Sequence, residues 1–413
     1  MPTAAVSPRE RVKRALRHQQ PDRTPADFLA TPEVWRRLVD HLGIEAPAPG
    51  DSDLFDPAWE ALLRELQIDC RVISYDQFCS PPPSACAAGA GGAAAADWWS
   101  SPGRSTPNRM WRCRTPDGLW TDVWGHSMRL VEHATGVYEE FAGWPLADAT
   151  TVSDLARHPW PEPDWWDWSP LPQLICQLDQ HGDDCHLRFR AGSIFESAWQ
   201  LRGMERFLMD LALDPALPEA IMDRLTDLVV ENTRRFLALA GDRVDMVYLY
   251  DDVATQSGLL ISKAMWRRFV RPRHARIIEV AKTCGKQVML HCDGAVGPLI
   301  PELIDLGVDL LNPIDQSASG MEPGWLKREY GDRLSFHGGI DIVQTLPRGT
   351  PQEVQAEVRE RVRVLGRDGG YVLCSSHHIQ PDTPIANVLA MMDVVLRLPA
   401  SEEVRGWTRE NAF

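Results

Sequence analysis

The chain has 413 residues, 44% of them hydrophobic and 24% charged, a balance that supports a large buried core and excludes disordered, fibrous and collagen-like classes. Its 58 acidic against 43 basic side chains leave a formal charge of −15, which argues against a broad electrostatic footprint for nucleic acid or an anionic membrane. Nine scattered cysteines without a paired framework, a polar start over Met1–Arg23 and no apolar run of bilayer length predict a reduced, cytoplasmic protein.

In chain order, Pro8–Leu16 carries charged and apolar residues at helical spacing, and Pro21-Asp22-Arg23-Thr24-Pro25 stops that helix before a first strand at Ala26–Leu29. Cys70–Ser74 reads as a second strand. Residues 81–108 are dominated by Pro, Ala, Gly and Ser, which supply little apolar area to offset ordering, so they predict a loop-like insertion. A wider insertion, about 76–170, holds Trp98, Trp99, Trp111, Trp120, Trp124 and Trp144, read as apolar packing against the body rather than as a stacking surface for flat ligands. Within it Gly118–Val131 has the pattern of a hairpin.

From residue 186 short apolar runs alternate with amphipathic helices. The runs are His186–Arg190, Val244–Tyr250, Gln287–Leu290, Val308–Asn312, Leu334–His337 and Tyr371–Cys374; the helices include Pro218–Leu239, Lys263–Thr283 and Pro351–Leu365. Such alternation implies a parallel sheet with right-handed crossovers, and eight strands are the number that closes a barrel. The expected architecture is therefore an α/β chain forming one (β/α)8 TIM barrel domain over 1–413, with an N-terminal helical extension and the insertion. A doubly wound open sheet is the rival, weakened by the lack of a Gly-x-Gly-x-x-Gly turn after an early strand.

In a barrel the strand ends converge on one face, so polar groups there carry more functional weight than equally polar groups on helices. These ends read Tyr250-Asp251-Asp252, His291-Cys292-Asp293-Gly294, Asn312-Pro313-Ile314-Asp315, His337-Gly338-Gly339-Ile340-Asp341 and Cys374-Ser375-Ser376-His377-His378. Asp251, Asp252, His337 and Asp341 are candidate catalytic groups, as is Glu196 after Gly192-Ser193-Ile194-Phe195, a general acid or base. Each also has a plain structural role open to it: Asp251 and Asp252 as helix caps, Glu196 as a solvated turn carboxylate, Cys292 and Cys374 as small buried residues.

These runs, together with Asp251–Gln256, Gly307-Val308-Asp309, Phe336–Asp341, His377–Pro384 and the opening Arg9–Asp27, resemble the motif series of the uroporphyrinogen decarboxylase superfamily. The resemblance implies the barrel fold and one of two chemistries: cofactor-free decarboxylation of a tetrapyrrole, or zinc-dependent methyl transfer to or from a corrinoid on a partner protein. The methyltransferases carry His-x-Cys after strand five and Cys after strand eight. Here His291 is kept, Asp293 stands two residues later, and His377 occupies the strand-eight position, with Cys374 in reserve. Zinc accepts this harder set, and residues two apart in a strand share a side, which favours His291 with Asp293 over His291 with Cys292.

True decarboxylases of this family hold their substrate's many carboxylates with an Arg-Gln-Ala-Gly-Arg segment after the first strand. This chain has Ala26-Asp27-Phe28-Leu29-Ala30-Thr31-Pro32 there and no arginine until Arg36, which counts against that substrate. The resemblance thus implies a methyltransferase or demethylase, possession of zinc, a small-molecule substrate and a corrinoid (cobalamin) carrier on a separate protein, since no Asp-x-His-x-x-Gly corrinoid-binding pattern is present. A cofactor-free decarboxylase is the alternative, and homodimerisation stays open.

Overall fold

The computed structural model describes residues 6–48, 54–81, 111–115, 117–133, 136–180 and 184–397. The expected insertion at 81–108, with Trp98 and Trp99, lies outside the described residues except for Pro81.

Thirteen strands are described: β1 (Cys70–Ser74), β2 (Cys113–Arg114), β3 (Trp120–Thr121), β4 (Ser127–His133), β5 (Gly136–Gly143), β6 (His186–Gly192), β7 (Met246–Tyr250), β8 (Ala254–Thr255), β9 (Gly258–Leu259), β10 (Gln287–His291), β11 (Leu310–Ile314), β12 (Ser335–Ile340) and β13 (Tyr371–Ser375). Seven form one curled parallel sheet in the order β1-β6-β7-β10-β11-β12-β13, with helices in the connections, so the chain is α/β as its alternating pattern predicts.

The segment expected as the first strand is not one. Residues 26 and 30 make isolated parallel bridges to Leu373 and Ile379. The Leu373 N–H donates to the Pro25 carbonyl, the Asp27 N–H to the Leu373 carbonyl, and the Asp69 N–H to the Ala26 carbonyl. The ladder breaks because the Phe28 N–H turns instead to the Asp27 carboxylate at 2.8 Å.

Side-chain parity sorts the sheet's two faces. Leu187, Phe189 and Ala191 of β6 are buried towards the helices, where Phe189 stacks on Phe236 of the Ala216–Ala240 helix with ring centroids 3.7 Å apart. The opposite face, at the strands' N-terminal end, is filled by Cys70, Met246, Met289, Leu310 and Val372, closed by Val12 and Leu16 of the Pro8–Leu16 helix. That apolar plug leaves polar groups room only towards the strands' C-terminal ends.

The expected Lys263–Thr283 helix is two helices, Lys263–Phe269 and Arg271–Thr283, because Pro272 lacks the N–H that would continue the first. The predicted hairpin belongs to a four-stranded antiparallel sheet, β2-β3-β4-β5, with Trp120 opposite Met128. Among the described residues Cys113 is disulfide-bonded, a departure from the reduced chain expected, and seven other cysteines carry free thiols. Among the described residues no helix is long and apolar enough to cross a membrane.

Candidate functional site

His291 ends β10, Asp293 follows it, and His377 lies two residues past the end of β13. One ligand atom from each of the three lies within 4.8 Å of the other two. His377 Nε2 is 3.5 Å from Asp293 Oδ2, His291 Nε2 is 3.9 Å from Asp293 Oδ1, and the two imidazole centroids are 5.9 Å apart. Gly294 makes the sharp exit from this turn: its φ is +89°, and a Cβ there would sit 2.4 Å from the Thr255 carbonyl oxygen.

The orientation of the His291 ring is fixed from a distance. Asp27 is buried, and although burial alone would raise its carboxyl, Arg188 at 2.5 Å and His337 hold it well below the usual carboxylate range. An ionised Asp27 only accepts, so His337 Nε2, 2.9 Å away, must donate to it. Burial keeps His337 neutral, so its Nδ1 accepts from Asn312 Nδ2 at 2.6 Å. The Asn312 carbonyl oxygen then accepts from His291 Nδ1 at 2.5 Å, which leaves the lone pair of His291 on Nε2, facing Asp293 and Asp252. Burial also pushes His377 down against the pull of Asp293, keeping it neutral at pH 7.

The carboxylates divide into different roles. Asp251 is 1% exposed and accepts the N–H groups of Ile194, Phe195 and Glu196 at 3.2, 3.0 and 2.7 Å, with His274 Nε2 at 2.7 Å. It therefore caps the Phe195–Arg202 helix, the structural role open to it in sequence, with its carboxylate oxygens turned to the backbone and His274. Glu196 sits at the start of that helix facing a cavity, where burial, reinforced by Asp252 and Asp251, lifts it to about 8. At neutral pH its carboxyl therefore keeps a proton that it could donate. Asp252 accepts the Asp293 N–H at 2.8 Å and lines the same cavity; burial raises its carboxyl, opposed by His291.

Three other expected site residues stand apart. His337 is fully buried in the relay to Asp27 and cannot meet a substrate. Asp341 accepts the Val343 and Gln344 N–H groups at 2.6 and 3.2 Å, shaping a turn. Cys374 is fully buried, its thiol raised by that burial, and lies outside the converging group; Cys292 is likewise buried, with the Val253 N–H directed at its sulfur.

The cavity, about 320 Å³, is lined by the polar His291, His377, His378, Glu196 and Asp252 and by the apolar Phe28, Phe55, Trp59 and Leu63. Burial, with His377 and His291 beside it, drops His378 to about 3, so it too is neutral. Arg190, Tyr248 and Tyr250 also line it; Tyr250 is among the strand-end residues, and sequence reasoning missed Arg190 and Tyr248. The signal was present: arginines two apart in the apolar run His186–Gly192 must share the face opposite Leu187 and Phe189.

The sequence model of the family described as Uroporphyrinogen decarboxylase (URO-D) matches residues 175–398, more than half of the chain. A methylated-thiol–coenzyme M methyltransferase of Methanosarcina mazei is 28% identical over 206 residues, 50% of this chain and 51% of the relative. A uroporphyrinogen decarboxylase of Anaeromyxobacter sp. is 28% identical over 201 residues, 47% of this chain and 52% of the relative. The chain thus spans about half the length of the curated relatives it matches. A solved structure of a methyltransferase from Methanosarcina mazei superposes with a TM-score of 0.61 at 19% identity, covering 95% of this chain and 98% of that one, a likeness of fold. The chain belongs to the uroporphyrinogen decarboxylase (URO-D) family.

Proposed function

We propose that the chain is a zinc-dependent methyltransferase or demethylase, acting on a small molecule together with a corrinoid carried by a separate protein, with His291, Asp293 and His377 as its metal ligands. The observation that carries this reading is the convergence of those three donor atoms, one of them on an imidazole whose other nitrogen is already held by Asn312. Two imidazoles and a carboxylate suit zinc, and three protein ligands leave a position open for an exchangeable group. Zinc bound there would act as a Lewis acid that favours the deprotonated form of a substrate thiol or water.

The chain's own residues then divide the work. Glu196 holds a proton at its carboxyl, in the cavity, available to a leaving group. Asp252 fixes the Asp293 backbone, and Phe28, Phe55 and Trp59 line the cavity with apolar surface that excludes water. The 25–30 segment is proposed as the eighth stave that closes the sheet into a TIM barrel, one domain carrying the 76–170 insertion. Homology to the methyltransferase relative supports the methyl-transfer branch.

The second reading, a cofactor-free decarboxylase, is favoured by Arg190, a cation lining the cavity. Metal analysis separates the two. Wild-type protein should carry about one zinc per chain, and His291→Ala and His377→Ala should lose it while keeping the native circular dichroism. Full turnover after exhaustive chelation would instead assign His291, Asp293 and His377 to hydrogen bonding and acid–base work.

A further inference from the structure

Arg188 and Arg190 project from the same side of β6, and their surroundings differ. Arg188 is fully buried and ion-paired with Asp27 at 2.5 Å. Arg190 lies over the Tyr250 ring, its guanidinium carbon 4.3 Å from the centroid, and among the described residues no carboxylate stands within ion-pair distance of it. Asp76 acts on it only from beyond ion-pair distance and accepts the Ser74 hydroxyl at 2.9 Å, while Glu196, its carboxyl raised by burial, accepts from Gln200 at 3.0 Å, so neither pairs directly with the guanidinium.

Its position is a junction. Arg190, Glu196 and Tyr250 line both the cavity that holds His291 and His377 and a second one, about 280 Å³, beneath the antiparallel sheet, where Trp111 and Trp124 form part of the wall. Arg190 is in register with Tyr248, and Tyr250 with His291. The arginine is therefore two strands across and two residues back from the metal group, roughly 12 Å at the backbone given strand spacings of about 4.8 Å and a rise of about 3.3 Å per residue. A guanidinium withdrawn from water without a carboxylate costs free energy that a bound oxyanion would offset, and its planar fork matches carboxylate and sulfonate oxygens two at a time.

We infer that Arg190 recognises an oxyanion, carboxylate or sulfonate, on a small substrate with a flat apolar body, held so that the reacting group lies at His291, Asp293 and His377. Trp59 and Phe28 in the cavity lining and Tyr250 under the guanidinium supply the flat surfaces for that body. The inference rests on the proposed function only for where the reacting group sits.

The test is calorimetric titration of the full chain with dimethoxybenzoate, dimethoxybenzenesulfonate and the neutral dimethoxybenzamide. At least one anion should bind about tenfold or more tightly than the amide, as a charge-assisted pair implies, and the stronger of the two identifies the oxyanion. Arg190→Gln should erase that preference, and Arg190→Lys should keep its sign with a smaller gap, since it retains charge without the fork. Anions no tighter than the amide at millimolar concentration, or a preference that survives Arg190→Gln, would overturn the inference. Zinc is measured in the same samples. An anion preference in protein that binds no zinc overturns the metal reading alone, and zinc without the preference overturns this inference alone.

Discussion

Asn312→Leu keeps side-chain volume but separates the two imidazoles that Asn312 joins. In the wild type its oxygen lies 2.5 Å from His291 Nδ1 and its nitrogen 2.6 Å from His337 Nδ1. Removing an outer partner of a ligating histidine lowers metal affinity about 10–100-fold, or roughly 1.4–2.7 kcal/mol. The metal-free protein should also lose stability, because each buried polar atom left without a partner costs about 1–3 kcal/mol. His337 is fully buried and bears the whole penalty, whereas His291, with its side chain 14% exposed, can relieve part of it at water, so a total of about 2–4 kcal/mol is expected. Asn312→Asp separates the two effects. Its carboxylate still accepts from His291, so zinc affinity should match or exceed that of the wild type, while a second buried carboxylate across His337 from Asp27 lowers stability. Affinity is read by competition with a chromophoric chelator and stability by urea unfolding of stripped protein. Asn312→Leu within threefold of wild-type affinity, or Asn312→Asp as weak as Asn312→Leu, would refute the relay.

Asp251→Ala strips the acceptor from three backbone N–H groups and His274, so a loss of roughly 3–5 kcal/mol is expected by denaturant unfolding, and a loss below about 1 kcal/mol would deny its capping role. Burial lifts Glu196 from 4.5 to about 8, so the protonated donor persists through neutrality and turnover should fall as pH rises through about 8. Glu196→Gln should lack that alkaline limb; a pH–rate profile in which the limb persists would remove Glu196 as the proton donor.

Elements with strong local signals were legible in sequence. Pro8–Leu16 and Pro351–Leu365 match their expected bounds because Ser7 caps the first and a Thr350–Glu353 capping box starts the second, each with proline in the first turn. The strands after residue 186 follow because period-two apolar runs end in turn residues, with bounds shifted by one to three positions. Ala26–Leu29 failed as a strand because a local contact, Phe28 N–H to Asp27, outcompetes the ladder, and propensity does not register that choice. The pairing of His291 with Asp293 was readable from parity, and His377 from its place after the last strand. The role of His337 was not, since it is decided by Asp27, 310 residues away in sequence.

The sequence argument against a many-carboxylate substrate counts arginines near Ala26 alone, and the fold enlarges that count. β6 adds Arg188 and Arg190 to the inner face, and β1 adds Arg71 to the cavity wall. What matters for an anionic ligand is the charge left after internal pairing. Asp27 neutralises Arg188 at 2.5 Å, and Glu60 pairs with Arg71 at 2.9 Å. Of these three, Arg190 alone keeps its charge for a ligand, too little for many carboxylates and sufficient for one. The internal pairing of Arg188 and Arg71, added to the missing segment, therefore counts against a many-carboxylate substrate and leaves Arg190 for the single oxyanion inferred above. The same pairing explains why β6 can carry two inward arginines at all: one is anchored by the carboxylate that sets the His337–Asn312–His291 proton order, and the other is stacked on Tyr250 at the mouth of the second cavity.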